Sequence, residues 1–119
     1  MKRDTATDPF IPLKGTNMSL RKRYLKGNRV CKVTFVLDHE LYPNARTVHL
    51  VGDFNGWDKE ATPMKYLKSG VFSVSVNLIS GAEYQFRYFV NGKVWVNDWR
   101  ADRFEPTIFG DVENSVVSV

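Results

Sequence analysis

Three tryptophans stand in polar stretches of this chain. Trp57 closes the run VHLVGDFNGW (48–57), Trp95 follows the Asn91-Gly92 turn signal, and Trp99 lies within VNDWRAD (96–102). Asn, Asp and Arg surround them, while Phe, Val, Leu and Tyr positions elsewhere suffice to fill a core. Singly, each tryptophan is as well explained by packing as by binding; together they favour binding. An indole held out from a loop offers a flat apolar face carrying a negative quadrupole. The C–H face of a pyranose ring lies on such a surface, and the hydroxyls at the sugar's rim then need donors and acceptors. Arg87, Lys65 or Lys93, Asn91, Asn97 and Asn114 are the side chains of the right type. A stack contributes about 0.5–1.5 kcal/mol beyond burial. Two stacks therefore predict a weak single site, on the order of micromolar to millimolar, which a polymer would offset by presenting many sites.

A catalytic constellation is not legible. His39 and His49 stand apart, with neither HExxH nor a Cys/His cluster to suggest a metal. There is no GxSxG and no phosphate-cradling glycine loop; Gly52, Gly56 and Gly70 read as turn residues. Asp53, Asp58, Asp98, Asp102 or Glu105 could in principle supply the paired carboxylates of glycoside hydrolysis. Aspartate, however, is the ordinary residue of turns. The barrel that carries such chemistry takes about 250 residues, more than the 119 of this sequence. The expectation is a non-enzyme without cofactor or metal.

The elements that must position the indoles read as strands. Val30–Leu37 sets Val33, Phe35 and Leu37 on one side, joined by Cys31. Thr47–Val51 is a second strand, with Val48 and Leu50 opposite His49 and Val51, and Met64–Lys68 a short third. Phe72, Val74, Val76 and Leu78 alternate with Ser73, Ser75 and Asn77; Tyr84, Phe86, Tyr88 and Val90 alternate with Gln85, Arg87 and Phe89. A return strand covers Lys93–Val96, 97–110 is irregular, and Ser115–Val119 is terminal. Some seven short strands with regular turn signals predict an all-β, immunoglobulin-like sandwich over 30–119.

One register decides whether Trp95 is available. If Asn91-Gly92 is a two-residue turn, Trp95 faces Tyr88 and belongs to the core. If the turn also takes in Lys93 as a bulge, Trp95 pairs with Phe89 and shares the outer face with Arg87. The sugar-site reading needs the second arrangement.

Residues 1–29 read as a basic arm: 1–17 without periodicity, then Leu20, Tyr24 and Leu25 on one face of a short helix capped by Ser19 and stopped at Gly27-Asn28. Residues 1–32 hold nine Lys or Arg against Asp4 and Asp8, about +7 of a total of +4, so the remainder is mildly acidic. The domain proper is thus a poor phosphate-binding surface, and the arm reads as a solvated tail rather than a nucleic-acid partner stripe. The hydrophobic fraction of 43% and charged fraction of 25% are those of an ordinary globular domain. No apolar run approaches a bilayer span, and MKRDTATDPF lacks the apolar stretch of a secretory leader. A single cysteine, Cys31, fits a reducing compartment, and the cytoplasm is the expected location.

GDFNGW, the later YQFRYFVNG with a Trp just beyond, and the FGDVENSV ending resemble carbohydrate-binding module family 48. That family includes the early-set domain of isoamylases and branching enzymes and the glycogen-binding domain of AMP-activated kinase β subunits. The likeness covers about Val30 to Val119 and is greatest to bacterial stand-alone early-set proteins. It implies an open site for glycogen- or starch-like α-1,4-glucan, or for malto-oligosaccharides. It sets Trp57 and Trp95 as stacking residues, Arg87 as the basic residue that meets hydroxyls, and Phe109 as an apolar residue of the last loop. Asp111 and Glu113 stand where the kinase-type modules carry a sugar-contacting Thr and Asn, and Asn114 matches a neighbouring Asn. The alternative is an adaptor that docks onto a glycogen-metabolising enzyme of the α-amylase superfamily without binding sugar.

Overall fold

The computed structural model describes residues 20–108, 110 and 112–119. Among the described residues nine strands succeed one another: β1 (Leu20–Tyr24), β2 (Val30–Asp38), β3 (Val48–Gly52), β4 (Lys65–Tyr66), β5 (Val71–Ile79), β6 (Glu83–Val90), β7 (Val94–Val96), β8 (Arg103–Pro106) and β9 (Glu113–Ser118). They form two antiparallel sheets, one in the order β1-β2-β5-β4, the other β3-β6-β9-β8 with β7 also on β6. The result is an immunoglobulin-like sandwich of the early-set kind.

The alternating patterns become the inner faces. Phe35, Val33 and Cys31 from β2 meet Phe86 and Tyr88 from β6 and Leu50 from β3, all fully buried. Phe86 lies edge-on to both Phe35, at 5.0 Å, and Tyr88, at 5.8 Å. The free Cys31 thiol is a core group. Val51, expected on the outer face, is also buried, because the segment after β3 doubles back beside that strand: the Leu50 and Met64 N–H groups donate to the Thr62 and Val48 carbonyls.

Two expectations are corrected. Residues 20–24 form no helix: Leu20 through Tyr24 pair with Phe35 through Cys31 as the edge strand of the first sheet. The same spacing that gives a helical face also places Leu20 on the inward side of a strand, and an available edge on β2 decides between them. Within 97–110, read as irregular, Arg103–Pro106 is a strand pairing with β9. It is a sheet edge, where proline is tolerated.

The hairpin after β6 takes the bulged register. Asn91 and Gly92 both have positive φ (55° and 66°), and Lys93 N–H donates to the Val90 carbonyl. Lys93 is then the extra residue, so Val90 pairs with Val94 and Phe89 with Trp95. Trp95 is on the outer face.

Candidate functional site

Strand β6 changes partner on one of its edges. Glu83–Phe86 pair with β9, whereas Tyr88–Val90 pair with β7. Arg87 lies at the fork, pointing outward, and there the sheet surface opens into a groove of about 400 Å³ lined by Trp57, Arg87, Trp95, Thr107, Val112 and Asn114. A second recess of about 430 Å³ shares Arg87, Trp95 and Val112 and continues to Asn97 and Glu113. The two are one cleft.

Trp57 reaches it from a tightly organised turn. Asp53–Asn55 form a single 3-10 turn, followed by Gly56 (φ 68°) and Trp57 itself (φ 58°) in the left-handed region. A bulky residue there is rare, and such strain collects at functional positions. Three side chains hold it. Asn55 Oδ1 accepts from Gly52 N–H, while its amide donates to the Leu50 carbonyl and Thr62 Oγ1. Phe54 turns inward onto Phe35, at 5.6 Å. Asp53 accepts the Trp57 indole N–H on Oδ1 at 2.9 Å and the Gln85 backbone N–H on Oδ2 at 2.7 Å. Gly52 admits no side chain, since a Cβ would stand 2.5 Å from the Gln85 carbonyl and 2.8 Å from Phe86 Cβ. The GDFNGW run is a mount for one indole.

Trp95 is steadied differently, by the Phe89 ring stacked against it at 4.4 Å. Between the two indoles, Arg87 Nε is buried without a hydrogen-bond partner among the described residues. Desolvation pulls this guanidinium below its usual range, although it stays charged at neutral pH. A buried N–H of this kind lacks about 1–3 kcal/mol of hydrogen bonding, which an acceptor entering the groove would restore. Asn114 donates its amide to Gln85 Oε1, which fixes its orientation at the groove wall. Beyond Asn114 the outer face turns ionic, with Arg103 paired to Glu83 at 2.6 Å and to Glu105.

Trp57, Arg87, Trp95 and Asn114 are thus brought together, with Glu113 in the adjoining recess; Phe109 and Asp111 lie outside the described residues. Other expected sugar ligands are not in the groove. Asn91 uses its side chain on the Arg46 and Thr47 N–H groups and the Asn44 carbonyl, Lys65 belongs to the opposite sheet, and exposed Lys93 is the bulge of the hairpin. Trp99 is half-exposed elsewhere, under the Arg100 guanidinium at 4.4 Å. Thr107 and Val112 line the groove without a signal in the sequence, because only the pairing of β8 with β9 brings them there. Asp53, which holds the Trp57 indole, reads in the sequence as no more than a turn aspartate.

Among the described residues no three His, Cys, Asp or Glu side chains converge as metal ligands would, and no helix is long and apolar enough to cross a membrane. A sandwich with an aromatic groove on one sheet face, mounted on strands and turns, defines a binding module. The chain belongs to carbohydrate-binding module family 48, the isoamylase N-terminal domain, whose model matches residues 36–104. It is also similar to 1,4-alpha-glucan branching enzymes: 48% identical over 46 residues to that of Butyrivibrio fibrisolvens, covering 37% of this chain and 7% of the enzyme. For that of Nocardia farcinica the figures are 47% over 70 residues, covering 56% of the chain and 9% of the enzyme. The chain spans less than a tenth of these relatives' length.

Proposed function

We propose that the groove binds α-1,4-glucan, of the glycogen or starch type, without chemically altering it. Glucose units stack on Trp57 and Trp95, Arg87 donates to hydroxyls between them, and Asn114 and Glu113 complete the polar rim. The observation that carries this reading is the convergence of two indoles and an under-bonded guanidinium on one open groove. Support also comes from the family and from relatives whose names specify 1,4-alpha-glucan as substrate. With one cysteine, buried and free, we assign the protein to the cytoplasm. The test is electrophoresis through a native gel containing glycogen or amylopectin. Wild type should be retarded and Trp57→Ala should migrate as in a plain gel. An unretarded wild type would overturn the proposal.

The matched stretch is a small part of each branching enzyme, which favours a second reading in which this sandwich docks onto a larger glycogen-metabolising enzyme. Co-sedimentation with such an enzyme, undiminished by Trp57→Ala, is the outcome that would put it first.

A further inference from the structure

On the other side of the Phe89–Trp95 stack from the groove lies a separate depression. It has a volume of about 290 Å³ and is walled by Thr47, His49, Lys59, Glu60 and Phe89, with Asn91 and Gly92 at its rim. We infer that this depression is a second saccharide subsite, taking the continuation of a glucan chain that already occupies the main groove. The inference rests on the glucan reading of that groove.

The geometry is that of a continued platform. His49 and Phe89 are direct cross-strand neighbours on the outer face of β3 and β6, and Phe89 is in turn the partner of Trp95. The aromatic surface therefore runs from the groove across two stacked rings into the depression. Along β6, Phe89 follows Arg87 on the same face, roughly 7 Å further on, a step of sugar-ring size. The wall chemistry suits a sugar. Phe89 gives an apolar surface for a C–H face. His49 and the Lys59 ammonium supply donors, and the Glu60 carboxylate and Thr47 hydroxyl supply acceptors, a mixture that vicinal hydroxyls need and an apolar ligand would not. Lys59 lies over both rings, 5.4 Å from the Phe89 centroid and 5.9 Å from that of Trp95. It comes from the segment that follows Trp57, so one loop furnishes an indole to the groove and a cation to the depression. None of these side chains belongs to the buried core: Lys59 and Glu60 are exposed, and His49 and Phe89 are half-buried.

The test compares short and long ligands. Maltotriose fills the main groove alone; maltoheptaose reaches both. Isothermal titration of each is run on wild type and on the double variant His49→Ser/Glu60→Ala, which leaves Trp57, Arg87, Trp95 and Asn114 untouched. Maltoheptaose also gains affinity simply by offering more overlapping frames, but equally for both proteins, so the difference between proteins carries the result. The subsite predicts equal maltotriose affinity and a loss of about fivefold for maltoheptaose in the variant, the effect of the hydrogen bonds that one sugar unit loses. It also predicts that the His49 ring signals in an NMR spectrum move with maltoheptaose and stay in place with maltotriose. Equal maltoheptaose affinity in the two proteins, or a His49 ring unmoved by it, overturns the subsite while maltotriose binding upholds the groove. Failure of wild type to bind either sugar overturns both.

Discussion

Asp53 shows how far the placing of an indole depends on its neighbours. Its carboxylate ties the Trp57 indole to the backbone of β6 through two hydrogen bonds from different segments. Bonds to an ionised acceptor are the stronger kind, and they hold Trp57 at a backbone geometry that a large side chain adopts rarely. Replacing Asp53 with Ala should leave the sandwich folded, since the residue is exposed, but free the indole to sample other rotamers. Glucan affinity should drop about fivefold, on the order of 1 kcal/mol, read by titration with maltoheptaose alongside an unchanged far-ultraviolet circular dichroism spectrum. From the sequence, Trp57, Arg87, Trp95 and Asn114 could be grouped because their types suit stacking and hydrogen bonding, and the fold sets them around one groove. Asp53 was legible only as a turn residue. Asn91 was misread as a sugar ligand because its amide suits a hydroxyl as well as it suits the backbone groups it meets, and only the fold shows which are nearer.

At the scale of elements, the hairpin between β6 and β7 and the segment beyond it decide where Trp95 points. Period-two alternation made every long strand readable, but alternation cannot choose between a two-residue and a three-residue turn. Nor could it find β1 or β8, whose pairing rests on an open edge nearby. Inserting one Ser between Lys93 and Val94 tests the turn directly. With the three-residue turn kept, Val94 would shift to face Phe89 and Trp95 to face Tyr88, pointing into a core already filled by Phe86 and Tyr88. The variant should lose retardation on glycogen and melt lower than wild type in a calorimeter, overpacking costing about 1–3 kcal/mol.

The segment after β7 is pinned from within. Tyr88 Oη donates to buried Asp98 at 2.8 Å, and Ser115 Oγ accepts from Asp98 N–H while donating to Asn97. Burial, then the nearby Asp98 charge and the hydrogen bond to it, push the Tyr88 phenol well above the ordinary tyrosine range of 10.0. The sign follows from proton counting: above pH about 10 the unfolded chain releases a proton that the folded one retains, so this share of stability, whole below that pH, declines as pH rises further. Tyr88→Phe should abolish that alkaline sensitivity, yet lower stability at neutral pH by about 1–3 kcal/mol through the donor lost to Asp98. Urea unfolding at pH 7 and pH 10.5 separates the two effects.

At the scale of the whole molecule, the basic run Arg21-Lys22-Arg23 has a structural account that its charge alone did not suggest. It lies on β1, the edge of the first sheet, and cationic side chains on an edge strand discourage further strands from pairing there. Lys22 also reaches Asp102 at 2.7 Å, and the same carboxylate oxygen accepts from Ser118 N–H. This ties the edge of one sheet to the last strand of the other. A chain beginning at Val30 would keep every residue of the groove. It would, however, uncover the edge of β2, nine residues rich in Val, Phe and Leu, and leave Cys31, Val33 and Phe35 less covered. Such a chain should associate as its concentration rises in sedimentation velocity, and should melt below the full sequence, while still being retarded by glycogen when dilute. If it sediments as a monomer and melts unchanged, the sandwich begins at Val30 and β1 is dispensable. Replacing Arg21 and Arg23 together with Val separates the two contributions of β1. That variant keeps the strand in place, so self-association from it would assign the protection to the charges rather than to the strand's coverage of β2.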